Sequence, residues 1–127
     1  MASETILVIE NEDSVRENIL ELLEAEGFTG VGASNGKEGI ALVEQHDPAL
    51  ILCDVLMPSM SGYEVLRAVR RKHRFEQVPF IFLSAKVSEA DAARGLQAGA
   101  SHYVTKPFSL EELLQVIQAC LRQPRQP

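Results

Sequence analysis

Only two of the 127 residues are cysteine, too few for a disulfide framework. Both sit among apolar neighbours, Cys53 in Leu50-Ile51-Leu52-Cys53 and Cys120 after Val116-Ile117-Gln118-Ala119, so buried thiols in a reducing compartment are expected. Long apolar runs are lacking as well, and none approaches the length of a bilayer-spanning helix. The start, Met1-Ala2-Ser3-Glu4-Thr5, has neither the basic nor the apolar segment of a secretory signal. A cytoplasmic chain with no membrane partner is therefore expected. Positive charge is scarce: 12 Lys and Arg stand against 18 Asp and Glu, for a net charge of −6. That balance leaves no basic stripe for direct nucleic-acid contact. The densest basic run, Arg67, Arg70, Arg71, Lys72, His73 and Arg74, reads as the solvated face and end of a helix, where cations suit the dipole. Repeats, low-complexity segments and the glycine-rich loops of nucleotide and dinucleotide sites are all missing.

What is present fits one soluble globular domain, with 46% hydrophobic and 24% charged residues and enough length to bury a core. Three short runs are apolar on both faces: Ile6-Leu7-Val8-Ile9, Ala49-Leu50-Ile51-Leu52-Cys53 and Pro79-Phe80-Ile81-Phe82-Leu83. Such runs suit parallel strands covered by helices on each side. Two weaker strands are expected at Thr29-Gly30-Val31-Gly32-Ala33 and Ser101-His102-Tyr103-Val104. Helical spacing lies between them. Val15, Ile19, Leu22 and Leu23 define a helix stopping at Gly27; Ile40 and Val43 define one ending before Asp47-Pro48. Val65, Leu66 and Val69 mark a third, residues 88 to about 98 a fourth and least apolar one, and Leu110, Leu113, Leu114 and Ile117 the clearest. Asn35 with Glu38, Ser61 with Glu64 and Ser109 with Glu112 read as capping boxes. The fold class is thus α/β, a five-stranded parallel sheet wound on both faces. Residues 1–121 form the domain, and 122–127 read as a polar tail or a linker cut short.

In such sheets the ligand crevice lies beyond the carboxyl ends of the strands, where strand order reverses. Past the first strand come Glu10, Asn11, Glu12 and Asp13; past the third, Asp54; past the fourth, Ser84; past the fifth, Lys106. Each has a plainer explanation. Asp13 can cap the next helix, Ser84 can belong to a turn, and Lys106 can be a solvated loop residue. Their convergence on one edge has a chemical logic, however. Oxygen ligands attract a hard cation such as Mg²⁺, an ammonium and a hydroxyl can hold phosphoryl oxygens, and an aspartate can form an acyl phosphate. Asp54 is the candidate nucleophile, following an apolar strand directly and having no evident helix to cap.

Four segments carry a resemblance: Ile6-Leu7-Val8-Ile9-Glu10-Asn11-Glu12; Asp54-Val55-Leu56-Met57-Pro58-Ser59-Met60-Ser61-Gly62-Tyr63-Glu64; Phe82-Leu83-Ser84-Ala85-Lys86; and Gly99-Ala100-Ser101-His102-Tyr103-Val104-Thr105-Lys106-Pro107-Phe108. On these the chain resembles the response-regulator receiver domains of two-component signalling, the CheY-like family, over about residues 5 to 121. The resemblance implies a flavodoxin-like sheet of order 2-1-3-4-5 and phosphorylation of Asp54 by a sensor histidine kinase or phosphotransfer protein. It implies Mg²⁺ held by Glu10, Asn11, Asp54 and the Leu56 carbonyl, and phosphate contacts from Lys106 and Ser84. It also implies a cis bond between Lys106 and Pro107, and a switch in which Ser84 moves toward the phosphate and Tyr103 turns inward. Leu56 and Lys86 stand where the family tunes acyl-phosphate lifetime. Leu56 cannot hydrogen-bond a hydrolytic water, so slow decay is expected. A downstream effector domain and a homodimer through the helix-four, strand-five, helix-five face are family expectations.

One departure stands out. The family usually has two acids after the first strand, and here the second is Asn11, which can coordinate Mg²⁺ but brings no charge. The expected cost is about 10–100-fold in metal affinity, with Glu12 able to compensate if its loop bends inward. Two readings follow from this, a phosphorylation switch and a receiver-like interaction module that signals by protein contact alone. Neither is an enzyme with turnover: Asp54 is followed by Val55-Leu56-Met57, and no second acid stands ready for acid–base catalysis.

Overall fold

The computed structural model describes residues 4–85, 89–97 and 99–122. Strands β1 (Thr5–Ile9), β2 (Thr29–Ala33), β3 (Leu50–Asp54), β4 (Phe80–Ser84) and β5 (His102–Thr105) alternate with helices α1 (Asp13–Ala25), α2 (Gly36–His46), α3 (Gly62–Arg71), α4 (Glu89–Gln97) and α5 (Leu110–Arg122). The strands form one parallel sheet in the order β2-β1-β3-β4-β5, as the resemblance implies.

The doubly apolar strands explain the winding. Alternate residues of β1, β3 and β4 face opposite ways, and each set meets its own helices. Leu7, Ile9, Ile51, Cys53, Phe80 and Phe82 pack with Val43 of α2 and Val65, Leu66 and Val69 of α3. Ile6, Val8, Leu50, Leu52, Ile81 and Leu83 pack with Ile19 and Leu23 of α1 and Leu113 and Ile117 of α5. Cys53 and Cys120 are free thiols, one in each layer. Burial, then the Asp54 and Glu10 charges, push the Cys53 thiol well above its ordinary pKa; burial raises that of Cys120.

The turn chemistry follows the sequence. Asn35, Ser61 and Ser109 accept from the backbone N–H of Glu38, Glu64 and Glu112 at 2.8, 3.3 and 3.0 Å. After α1 the chain reverses at Gly27, whose φ of 89° suits a residue without Cβ. Several boundaries differ from expectation. Asp54 and Ser84 are the last residues of their strands, not the first beyond them, because the ladder continues through Asp54↔Leu83 and Ser84↔Thr105. Asp13 is the first residue of α1 and caps nothing; it pairs with Arg16 at 2.6 Å. Arg122 belongs to α5, not to the tail. Residues 88 and 98, expected at the ends of α4, and the tail beyond 122 lie outside the described residues.

Of the basic run, Arg70 departs most from a solvated face. Its guanidinium donates to the carbonyls of Phe75, Val78 and Gly99 at 3.0, 2.7 and 2.6 Å, and burial lowers its pKa. Lys72, His73 and Arg74 pair instead with Glu44, Glu76 and Asp47.

Candidate functional site

Strand order reverses between β1 and β3, and register places the site there. Ile9 lies beside Cys53, so the next residue of each strand, Glu10 and Asp54, emerges at the same level. Ser84 ends β4 opposite Thr105, which sets Lys106 just past β5. The backbone N–H of Lys106 then donates to the Ser84 carbonyl. The Lys106–Pro107 bond is cis.

Three of the expected polar residues, Glu10, Asp54 and Lys106, meet. Lys106 Nζ lies 2.8 Å from Glu10 Oε1 and 3.3 Å from Asp54 Oδ2. Glu10 is 0% exposed and Asp54 4%, so both carboxylates are nearly out of water. Burial, then the Glu10 charge, push Asp54 up to about 6, with Lys106 offsetting part of the rise. Lys106 responds in the opposite sense. Burial lowers its pKa, but the hydrogen bond to Glu10 and the two carboxylate charges outweigh that, and it stays protonated. Ser84 is buried at the same edge.

Asp54 also has a local partner that sequence did not suggest: its Oδ1 accepts from the Leu56 backbone N–H at 3.3 Å. The Leu56 side chain points away and is 67% exposed. Glu12 bends only partly inward. Its backbone N–H donates to Glu10 Oε2 at 3.0 Å, while its own carboxylate is 61% exposed and 3.9 Å from the Lys106 amine.

The Asn11 carboxamide faces the two buried acids, and donor–acceptor chemistry favours the nitrogen on that side. The nitrogen is 3.2 Å from Asp54 Oδ2 and 3.2 Å from Glu10 Oε2; turned the other way, the amide oxygen would confront two acceptors. The donor set suits a hard cation: two carboxylates forced together out of solvent and an amide able to present oxygen. Among the described residues no three acidic, histidine or cysteine side chains are grouped to hold an ion, in keeping with asparagine at this position.

The Tyr103 ring already lies inward against Phe82, 5.3 Å between centroids, and its hydroxyl is 2.9 Å from that of Tyr63. The Arg94 guanidinium of α4 stands 4.3 Å over the Tyr63 ring. Sequence reasoning missed Tyr63 and Arg94, since neither lies at the sheet edge where the chemistry was sought. It also missed Arg16, which donates to the Glu10 carbonyl at 2.8 Å and steadies the loop after β1. Lys86, expected to tune lifetime, lies outside the described residues. Beside Lys106 an apolar groove of about 500 Å³ runs between α1 and α5, walled by Val15, Ile19, Pro107, Phe108 and Leu110.

Comparison with known proteins agrees with this arrangement. The family model of the response regulator receiver domain matches residues 6–118. The uncharacterized transcriptional regulatory protein YkoG of Bacillus subtilis is 42% identical over 118 residues, 93% of this chain and 51% of that protein. The phosphate regulon transcriptional regulatory protein PhoB of Pseudomonas aeruginosa is 38% identical over 122 residues, 96% of this chain and 53% of PhoB. The chain therefore spans about half the length of the curated relatives it matches. Chemotaxis protein CheY4 of Vibrio cholerae superposes with a TM-score of 0.91 at 28% identity, covering 94% of this chain and 99% of CheY4. The receiver domain of HemR from Leptospira biflexa also gives 0.91, at 25% identity and with 98% and 99% covered. Strand order, the buried acid–lysine cluster and these matches together identify the chain as a member of the response regulator receiver domain family, a receiver domain of two-component signalling.

Proposed function

We propose that this domain is a switch that accepts a phosphoryl group on Asp54. The observation that carries the proposal is the Lys106 amine 3.3 Å from the Asp54 carboxylate, inside a buried cluster shared with Glu10. An Asp54 oxygen attacks the phosphorus of a phosphohistidine on a sensor histidine kinase or phosphotransfer protein. The P–N bond breaks, its electron pair returns to the imidazole, and an acyl phosphate remains. Asp54 must be ionised to attack, and with its pKa at about 6 it is mostly so at neutral pH.

Mg²⁺, when bound, would orient the phosphoryl group and neutralise charge developing on its oxygens. Glu10, Asp54, the Leu56 carbonyl and Asn11, through its amide oxygen, are the residues that would hold it. Lys106 is poised to leave the carboxylates for a phosphoryl oxygen, and Ser84 to donate to another. The added charge, about −1.5 to −2, then biases the face formed by α4, β5 and α5 through Ser84 and Tyr103. That face would serve homodimerisation or contact with a downstream effector domain. The regulatory proteins it resembles are about twice its length, which supports an effector in the full protein. The domain itself turns over no external substrate and makes no direct nucleic-acid contact; its acidic balance supports the latter. Cytoplasmic placement is in keeping with the described helices, none of which is long and apolar enough to cross a membrane.

Acetyl phosphate with Mg²⁺, followed by intact mass measurement, tests the proposal. One added phosphoryl group, absent in Asp54→Asn, is the expected result. No addition at millimolar Mg²⁺ would leave a receiver-fold module that signals by protein contact alone, the reading that Asn11 favours.

A further inference from the structure

Glu10 is held firmly before its side chain is considered. Its N–H donates to the Ala33 carbonyl at 3.0 Å, its carbonyl accepts from Arg16 at 2.8 Å, and its Oε2 accepts from the Glu12 N–H at 3.0 Å. Asn11 follows directly and, half-buried, reaches back over the two acids. Every carboxylate oxygen of the pair has a donor, and the Asn11 amide adds a second donor to one oxygen of each acid. Asp54 Oδ1 takes the Leu56 N–H, and Oδ2 takes both Lys106 and the Asn11 amide. Glu10 Oε1 takes Lys106, and Oε2 takes the Glu12 N–H together with the Asn11 amide. Among the described residues no buried side-chain nitrogen or oxygen lacks a partner.

A primary amide has two N–H donors, one for each carboxylate, whereas an aspartate at this position would have none and would add a third negative charge. With asparagine the cluster closes on itself; with aspartate it would call for a cation.

We propose that the Asn11 carboxamide is a removable bridge that competes with Mg²⁺ for the oxygens of Glu10 and Asp54. The proposal rests on the metal-dependent reading above but concerns binding, not transfer. The ion and the amide nitrogen need the same oxygens, so the ion enters only when the amide makes a half-turn and offers its oxygen. Two charge-assisted hydrogen bonds are given up in that turn. Asn11 therefore opposes the metal before it ligates it, and the low affinity expected here arises from competition as well as from missing charge.

Calorimetric titration of Mg²⁺ into the EDTA-treated full chain separates competitor from ligand. Asn11→Ala and Asn11→Ser both remove the amide, and Asn11→Asp restores the charge. Competition predicts that the Ala and Ser variants bind Mg²⁺ as tightly as the parent or up to about tenfold more tightly, while Asp binds more tightly still. If Asn11 served chiefly as a ligand, its loss would weaken binding about tenfold. A weakening of about threefold or more in both variants overturns the proposal, as does absence of binding in every variant including Asn11→Asp. Should the variants fold poorly, ¹⁵N NMR of the unmutated chain decides. The Asn11 carboxamide protons should exchange with water faster as Mg²⁺ is added, and an unperturbed carboxamide at saturating Mg²⁺ overturns the bridge. Failure of phosphorylation would register separately, in the acetyl phosphate mass measurement.

Discussion

The phenolic oxygens of Tyr63 and Tyr103 lie 2.9 Å apart and join the first turn of α3 to β5. Their rings flank Phe82, Tyr63 edge-on at 5.0 Å and Tyr103 tilted at 5.3 Å, and Arg94 of α4 covers the Tyr63 ring. Gly95 permits this closeness: a Cβ there would stand 3.0 Å from Tyr103 Cε2 and 3.2 Å from the Phe82 ring. One aromatic cluster thus ties together four elements, α3, β4, α4 and β5, the last two of which belong to the face that phosphorylation is proposed to remodel. Tyr63→Phe keeps the ring and removes the hydroxyl pair. It should cost about 0.5–1.5 kcal/mol in denaturant unfolding and raise hydrogen exchange in β5 while leaving β1 and β3 protected. Unchanged exchange in β5 would show that the pair does not fasten that strand.

The raised pKa of Asp54 fixes the sign of a pH effect. The unfolded carboxylate titrates near 3.9, and the folded one at about 6. Between those values the folded chain holds more protons than the unfolded one, so stability falls as pH rises through that window and stays reduced above it. Asp54→Asn should therefore raise stability at pH 7 in EDTA by about 1–2 kcal/mol and flatten this part of the profile. Urea unfolding of both proteins at pH 4 and pH 7 is the measurement. A variant less stable than the parent at pH 7 would mean that Lys106 outweighs burial and Glu10.

Gly62 lies against the main chain that carries the phosphoacceptor. Its N–H donates to the Val55 carbonyl at 2.9 Å, and a Cβ would fall 2.5 Å from the Asp54 carbonyl oxygen and 2.9 Å from Val55 Cα. Those are backbone atoms and cannot swing aside. Gly62→Ala should cost about 1–3 kcal/mol and slow labelling of Asp54 by acetyl phosphate by displacing its backbone. Normal labelling with normal stability would show that the turn has slack.

Leu56 presents an exposed apolar side chain two residues past Asp54, with nothing to orient a water. Leu56→Asn would supply a hydrogen bond of roughly 1 kcal/mol to such a water, enough for about fivefold faster loss of the acyl phosphate. Decay of the phosphorylated species, followed by mass, checks this; an unchanged half-life would assign the slow step elsewhere.

The fold was largely legible because burial wrote it plainly. Runs such as Ile6-Leu7-Val8-Ile9 are apolar at every position only because both faces are covered. The site was legible in outline for a related reason, since strand ends converge and Glu10, Asp54, Ser84 and Lys106 each end or follow a strand. What stayed hidden depends on distance between segments remote in sequence. Tyr63 stood only as one residue of a longer motif, Arg70 as one more cation in a basic run, and Asn11 as an uncharged metal ligand. Their contacts became visible only once β5, the turn after α3 and the Glu10–Asp54 pair were in place. Strand ends were misjudged by one residue because hydrogen-bonded pairing, unlike apolarity, does not stop at the first polar side chain.

The three carbonyls that share Arg70 give α4 a fixed heel. Gly99, two residues past the helix and with a φ of 108°, is fastened by that guanidinium to the far end of α3. Movement of the segment that follows α4 would have to break these hydrogen bonds, so α4 is held most firmly at its C-terminal end.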